Sequence, residues 1–230
     1  MFDITFISYN EPNADANWEK LKSRFPFARR VHGVEGIHNA HILAARKSRS
    51  SMFWVVDGDS QIADTFTFKD PDGVWIESVY VYKALNPVNG LSYGNGGVKL
   101  LPRVATMNMD TNSVDMTTSI VKHFTAVPEV ASATYFNTEP FNAWRSAFRE
   151  CVKLSSKVIN GQVDAETEER LNVWCTKGAG VQYGINAIEG AQLGRAYGEL
   201  NKDKPEELQK INDFKWLRSK FLESANSALT

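Results

Sequence analysis

Met52-Phe53-Trp54-Val55-Val56-Asp57-Gly58-Asp59 is an unbroken apolar run of strand-forming residues that ends in two carboxylates separated by a glycine. It is apolar at consecutive positions rather than alternate ones. That predicts a strand buried on both faces, as in a parallel sheet covered by helices. Side chains at i and i+2 of an extended chain point the same way, so Asp57 and Asp59 can converge on one target just past the strand end. Two close carboxylates repel. Mg2+ or Mn2+, held by one or two carboxylates together with substrate phosphates, relieves that repulsion. The carboxyl ends of the strands are also where open α/β sheets bind ligands. The competing reading is plainer: Asp-Gly is a common turn dipeptide, and the triplet can be a turn and nothing more.

Working outward, the upstream sequence supports the parallel reading. Asp3 to Tyr9 is rich in β-branched and aromatic residues and predicts a first strand, ending in the turn cluster Asn10-Glu11-Pro12-Asn13. Ala14 to Phe25 follows as a helix with Trp18, Leu21 and Phe25 on one face, and Pro26 stops it. Arg29 to His32 is a short second strand. Gly36 to Arg49 is a second helix, with Ile37, Ala40 or His41, Ala44 and Ala45 turned inward. The opening 60 residues therefore read β-α-β-α-β, the pattern of a parallel, helix-covered sheet.

Downstream the texture changes. Asp70-Pro71-Asp72-Gly73 is a turn, Val74 to Tyr82 a strand, and Asn86 to Gly90 another turn. Tyr93-Gly94-Asn95-Gly96-Gly97 then places three glycines within four residues. Such a segment suits a backbone that approaches a ligand or takes positive φ; it equally suits a glycine-rich hairpin with no ligand. No Gly-Lys-Ser/Thr follows, so it is not a phosphate P-loop. Val130 to Phe136 predicts a further strand, and a helix begins after Asn137-Thr138-Glu139-Pro140 with Phe141, Trp144 and Phe148 as its apolar stripe. The same helix carries Arg145, Arg149, Lys153 and Lys157 at successive i+4 positions, either a cationic ridge for a polyanion or a solvated face. Between Thr176 and Leu200, Gly190, Gly194 and Gly198 clear one side of a helix for another backbone. From Pro205 the pattern predicts an amphipathic C-terminal helix with Leu208, Ile211, Phe214, Leu217 and Phe221 inside.

Composition narrows the class. The 230 residues suffice for a sizeable core, and 43% hydrophobic with 23% charged residues is ordinary for a globular chain. No apolar stretch approaches the roughly 20 residues that span a bilayer. The N-terminus shows no basic region or cleavage site, so a cytoplasmic location is expected. Cys151 and Cys175 give no disulfide framework and no zinc pattern. A net charge of −1 gives no global attraction to nucleic acid, so binding of that kind would need a local patch.

The β-α-β-α-β start, the Asp-x-Asp at the end of the third strand and the glycine-rich segment about 35 residues later resemble a glycosyltransferase of the GT-A type, over roughly residues 3–150. The stretch from Gly36 through Asp59 is similar to that family's helix and strand before its metal motif. One departure stands out: many GT-A enzymes carry Ala-Arg-Asn in that helix, where this chain has Asn39-Ala40-His41. The arginine's donor contact would then fall to His41 or Arg46. The resemblance implies an α/β, GT-A-like fold with a mostly parallel central sheet covered by helices and a C-terminal helical segment. It implies one domain over 1–230: a nucleotide-sugar half over 1–110, an acceptor half over 111–200 and the C-terminal helix over 201–230. By the same resemblance Ser8, Tyr9, Asn10 and Glu11 would hold the base and ribose of a nucleoside-diphosphate sugar, a UDP-sugar first. Asp57 would hold the ribose or the metal, and Asp59 the metal, Mn2+ or Mg2+. Glu139 would be the base for an inverting transfer, with Asp110 and Asp115 in competition.

Small size, the lack of a visible anchor or secretion signal and overall texture resemble the GT-A-like transferases of bacteriophages. Those add a sugar to hydroxymethylated pyrimidines of DNA, in the host cytoplasm. That implies 5-hydroxymethylcytosine in DNA as acceptor, with Tyr93, Asn95, Gly96 and Gly97 facing an extruded base and Arg145, Arg149 and Lys153 on phosphates. The alternatives are a transferase acting on a glycan, protein or small metabolite, a sugar nucleotidyltransferase, and a non-catalytic binding module. Oligomeric state is not encoded in any motif.

Overall fold

The computed structural model describes residues 1–159 and 161–227. The chain forms two compact units, residues 1–111 with 116–135, and residues 112–115 with the chain from 136 onward.

The first unit is an α/β layer structure. Its elements are β1 (Asp3–Ser8), α1 (Ala14–Arg24), β2 (Arg29–His32), α2 (Ile37–Lys47), β3 (Met52–Asp57), β4 (Ser60–Ile62), β5 (Ser78–Leu85), β6 (Ser92–Tyr93), β7 (Val98–Pro102), the short α3 (Arg103–Met107) and β8 (His123–Thr134). The strands form one sheet in the order β2-β1-β3-β7-β5-β8-β4, with β6 alongside β5. All the elements on which the GT-A resemblance rests are present: the β-α-β-α-β start, the carboxylates at the end of β3 and the glycine segment before β7.

The sheet is mixed rather than mostly parallel. β1 runs parallel to both β2 and β3, and β5 parallel to β8, but β7 is antiparallel to β3 and to β5. The continuous apolar run of β3 arises because both faces are covered, whatever the direction of its neighbour. Met52, Trp54 and Val56 join Ile4, Phe6 and Leu21 of the α1 side, where Trp54 meets Phe66 and Phe68 edge-on at 5.8 and 5.3 Å. Phe53 and Val55 face the other way, against Ala40, Ala44 and Ala45 of α2. The strand expected from Val74 begins only at Ser78, because Trp75 donates its backbone N–H to the Tyr80 hydroxyl at 2.8 Å and Ser78 closes a turn onto Trp75.

The second unit is helical: α4 (Pro140–Ser156), α5 (Asp164–Thr176), α6 (Gly184–Asn201), α7 (Pro205–Gln209), a 3-10 turn over Lys210–Asn212 and α8 (Phe214–Ser227). α5 has no counterpart among the elements expected from sequence. The predicted single C-terminal helix is interrupted at Asp213. Its side chain accepts the N–H groups of Lys215 and Trp216 at 2.8 and 3.1 Å and so caps a new helix. Leu208, Ile211 and Leu217 are buried as expected, whereas Phe214 is 40% exposed; residues 228–230 of the expected helix lie outside the described residues.

α4 and α6 touch backbone to backbone. A Cβ added at Gly190 would lie 2.2 Å from the Trp144 carbonyl oxygen, at Gly194 2.3 Å from that of Phe148, and at Gly198 2.6 Å from that of Val152. The three glycines of α6 thus match three residues of α4 at the same spacing of four. Gly194→Ala should therefore destabilise the protein by about 2 kcal/mol or more in urea unfolding, although alanine is the better helix former by about 1 kcal/mol. A neutral or stabilising result would contradict this packing.

Candidate functional site

β3 delivers Asp57 to the carboxyl edge of the β2-β1-β3 sheet. The Asp57 N–H donates to the Gly97 carbonyl at 3.0 Å, tying the strand end to the glycine segment. Its carboxylate accepts two hydrogen bonds from Lys99 Nζ, at 2.8 and 3.0 Å. Lys99 stands in β7 opposite Val55 and is only 2% exposed, while the Asp57 side chain keeps 28% exposure. The lysine is thus buried inside the sheet layer with one open-sided counter-ion. Sequence reading missed it, although a lone lysine within Val98-Lys99-Leu100-Leu101 was a visible signal.

His41 shares this side of the sheet. It is fully buried in α2, with Nδ1 2.8 Å from the Ile37 carbonyl, so Nδ1 carries the proton and Nε2 is bare. Burial first and the charge of Lys99 second hold the imidazole well below its ordinary range, so it is neutral. Arg46, the alternative donor contact, sits exposed in the last turn of α2, at the helix end that leads toward the start of β3.

The corner at Gly58 is crowded. A Cβ there would lie 2.8 Å from Glu11 Oε2 and 3.0 Å from the Ser8 Cβ, so a side chain at this position would have to displace the Glu11 carboxylate. Glu11 in turn accepts the Tyr9 N–H at 2.7 Å. Asn17 donates to the Gly58 carbonyl at 3.0 Å, and the Tyr135 N–H donates to that of Asp59 at 2.8 Å. Glu11 thus lies against the glycine that separates Asp57 from Asp59 in the chain. Among the described residues, no three metal-ligating side chains converge tightly enough to form a closed centre. An open site of one or two carboxylates suits Mg2+ or Mn2+ shared with substrate phosphates.

Ser8 closes β1 with its hydroxyl between Arg30 Nε and His32 Nδ1, each at 2.9 Å. Arg30 also reaches Asp15 at 2.7 Å. Tyr9 and Glu11 are half-buried and Asn10 is exposed, which leaves this loop as the open rim of the edge.

The glycine segment answers to the protein's own crowding. Gly96 has φ +89°, and a Cβ at Gly97 would lie 2.6, 3.1 and 3.2 Å from the hydroxyls of Ser60, Thr134 and Ser132. Asn95 Oδ1 accepts the Gly97 N–H at 3.2 Å, and Tyr93 is buried against β5.

The other sequence candidates are spread. Asp110 is exposed after α3 in the first unit. Glu139 is the exposed N-cap residue of α4 in the second unit and makes no side-chain capping bond. Asp115 is buried in the second unit, 3.5 Å from Lys153, which also reaches Glu150 at 3.4 Å. Arg145 lies over the rings of Phe141 and Phe214, Arg149 donates to Asn212 at 3.1 Å, and Lys157 pairs with Asp164 at 2.8 Å. The expected ridge is one residue shorter: α4 ends at Ser156, and Lys157 is its C-cap at φ +58°, so only Arg145, Arg149 and Lys153 share the helix; each of the four cations has a partner within its own unit.

No family model matches the chain, and no curated protein matches it. Among solved structures it is similar to a mannosyltransferase from Pyrobaculum calidifontis, PcManGT, in complex with GDP-Man and Mn2+. That match covers 100% of this chain and 81% of the other at 12% identity, with a TM-score of 0.47. Among the described residues, no helix is long and apolar enough to cross a membrane.

Asp57→Asn strands a buried lysine without a counter-charge and should cost about 3 kcal/mol, the lower end for a broken buried pair because Asp57 keeps some water. A loss under about 1 kcal/mol in urea unfolding would remove the structural role given to Asp57. His41 binds its proton less readily folded than unfolded. Stability should therefore be lost as pH falls below the ordinary histidine value of about 6.5, by up to about 1.4 kcal/mol per pH unit. His41→Gln should flatten that acid limb between pH 6.5 and 5; an unchanged slope would assign the loss to other groups.

Proposed function

We propose that this protein is a metal-dependent glycosyltransferase that takes its sugar from a nucleoside-diphosphate sugar, a UDP-sugar first. The feature that carries the reading is the Asp57-Gly58-Asp59 corner at the carboxyl end of β3, beside the open loop that follows β1.

In this reading Asp59 holds the metal, with Asp57 beside it, fixed in direction by the two bonds from Lys99. A bound Mg2+ or Mn2+ supplies Lewis-acid neutralisation of the departing diphosphate. The rim from Ser8 to Glu11 receives base and ribose. Arg30 and His32 hold the Ser8 hydroxyl in place. His41, neutral and buried behind the Asp57–Lys99 pair, supports the pair rather than reaching the donor. For transfer with inversion the acceptor hydroxyl needs a base, and an exposed carboxylate at the start of α4 gives Glu139 the best claim. Asp110 comes second, and Asp115, already paired to Lys153, comes last.

For the acceptor we put a hydroxyl of a glycan, protein or small metabolite first. DNA carrying 5-hydroxymethylcytosine is the second reading, resting on sequence texture. The cations proposed for it already have internal partners, and Tyr93 is buried rather than presented for stacking. A cytoplasmic setting belongs to the same proposal, supported by the free thiols of Cys151 and Cys175.

The test is incubation with a panel of nucleotide sugars and Mn2+, scoring free nucleoside diphosphate, with and without hydroxymethylated duplex. Release should disappear in excess chelator and in folded Asp59→Ala. Glu139→Gln should lower turnover by roughly 10²–10⁴ with donor affinity little changed. Full release under chelation or in Asp59→Ala would overturn the metal site. Pyrophosphate in place of nucleoside diphosphate would make the protein a nucleotidyltransferase.

A further inference from the structure

The edge of the sheet opposite Asp57 collects cations and exposed apolar side chains. Strand register fixes which residues stand there. β1, β2 and β3 begin at this edge, with Asp3 beside Phe53 and Arg29 beside Thr5. β7 runs the other way and ends there, Pro102 beside Met52, so Arg103 and Val104 follow at the same edge. β5 and β8 begin there together, Ser78 beside His123, with Trp75, Ile76 and Glu77 before the one and Lys122 before the other. At a strand spacing of about 4.8 Å the row runs about 24 Å from β2 to β8.

α2 ends over the middle of this row. Arg29 donates to the Lys47 carbonyl at 2.6 Å and Arg103 to that of Ala45 at 3.1 Å, so Arg46, Lys47 and Arg49 stand at the same corner. Arg46, Lys47, Arg49 and Lys122 are exposed, and among the described residues no salt bridge engages them or Arg103. The acids of the edge offset little of this charge. Asp3 accepts the N–H groups of Arg49 and Ser50 at 2.5 and 3.1 Å and lies 3.9 Å from Arg29, and Asp70 is paired to the N-terminal amine at 3.4 Å. That leaves Glu77. Among the cations stand large apolar side chains: Val104 is 62% exposed, Ile76 58%, Phe27 52% and Trp75 45%. Trp75 is nonetheless held in place. Its N–H donates to the Tyr80 hydroxyl, its carbonyl accepts the Ser78 N–H at 3.1 Å, and its ring lies 4.3 Å from that of His123. A fixed indole left half in water, next to further exposed apolar residues, marks a surface that something apolar covers.

We propose that this edge docks the protein onto the surface of an anionic lipid bilayer. The cations meet the headgroups, and Trp75, Ile76, Val104 and Phe27 enter the interface. Tryptophan favours the headgroup level, and Lys and Arg lay their apolar stems along it while their charges stay with the anionic lipids. A nucleic acid would use the same cations but offers Ile76 and Val104 nothing to cover them. The protein lies on the bilayer without entering its core, and the Asp57 edge faces the water. The chemistry at that edge plays no part in the inference.

The experiment sediments the full-length protein with vesicles of phosphatidylcholine alone, or of phosphatidylcholine with about one-third phosphatidylserine. It should pellet with the second and stay in solution with the first. Raising salt from about 0.1 M to about 1 M, which shortens screening from about 10 to about 3 Å, should release most of it. The triple variant Lys47→Ala, Arg49→Ala, Lys122→Ala, checked for native circular dichroism, should bind roughly 100-fold more weakly, at about fivefold per cation. Trp75→Ala should lose most of the blue shift in tryptophan emission that the wild type gives on anionic vesicles. No pelleting with anionic vesicles at about 0.1 M salt, equal binding to both vesicles, or full affinity in the triple variant overturns the proposal. A duplex oligonucleotide bound more tightly than the vesicles through the same three cations overturns it too, in favour of a nucleic-acid surface. The wild-type comparison of the two vesicles stands even where a variant fails to fold.

Discussion

Lys99 is a lysine with almost no access to water, set in the middle of a five-residue strand buried along its whole length. Burying an ammonium group costs several kcal/mol unless a counter-charge meets it with good geometry. Asp57 is that counter-charge. The requirement fixes the end of β3: the chain must leave the strand with its carboxylate turned onto the α2 side, toward β7. The backbone bond from Asp57 to Gly97 holds the same two strands in register from the other side of the residue. Gly97 must be glycine because the hydroxyls of Ser60, Ser132 and Thr134 occupy the space where a side chain would go. The corner of the site, the hairpin before β7 and the end of β8 are therefore consequences of one buried charge and the crowding around it.

The helical unit is organised by absence of side chains rather than by charge. Trp144, Phe148 and Val152 of α4 are buried among Leu208, Ile211 and Leu217. Large side chains on the core faces and glycines at the α4–α6 contact let two backbones approach while their aromatic residues point elsewhere. Trp144 and Phe148 stack at 4.7 Å with an interplanar angle of 15°, which fills the space beside the contact. Dispersion grows with the number of close atom pairs, so a close backbone approach over three turns replaces the area that larger residues at Gly190, Gly194 and Gly198 would have contributed.

Much of this was readable in advance, for identifiable reasons. β3 declared itself because helix cover on both faces demands apolar residues at every position. The glycine spacing of α6 declared a close backbone approach because few other residues satisfy one. Strand direction was not readable: a strand flanked by one parallel and one antiparallel neighbour has the same burial as a fully parallel one. α5 was invisible because Asp164, Glu166, Glu168, Glu169 and Arg170 dominate it and only Thr167, Leu171 and Trp174 are buried. The break at Asp213 was hidden because the apolar spacing of the two flanking helices continues across it. Three of the four ridge cations fall on α4, with Lys157 past its end, but spacing cannot say whether a cation already has a partner; Arg145 over two rings and Lys153 between two carboxylates do.

The pairing of Lys99 with Asp57 also makes the two carboxylates of Asp57-Gly58-Asp59 unequal, although in the sequence they look like equivalent ligands. Asp57 has both oxygens engaged by the ammonium group, so any cation it meets must compete with a bond already made in a low-dielectric setting. Asp59 is fixed through its backbone, whose carbonyl accepts the Tyr135 N–H. A divalent ion that keeps several water or phosphate ligands needs only one strong protein carboxylate, with a second nearby to set the local field. Lys99 matters to both, because it keeps the summed charge of Glu11, Asp57 and Asp59 from making the corner self-repelling. A corner built this way can fold on its own charges, because the ammonium group of Lys99 is buried against the carboxylate it neutralises.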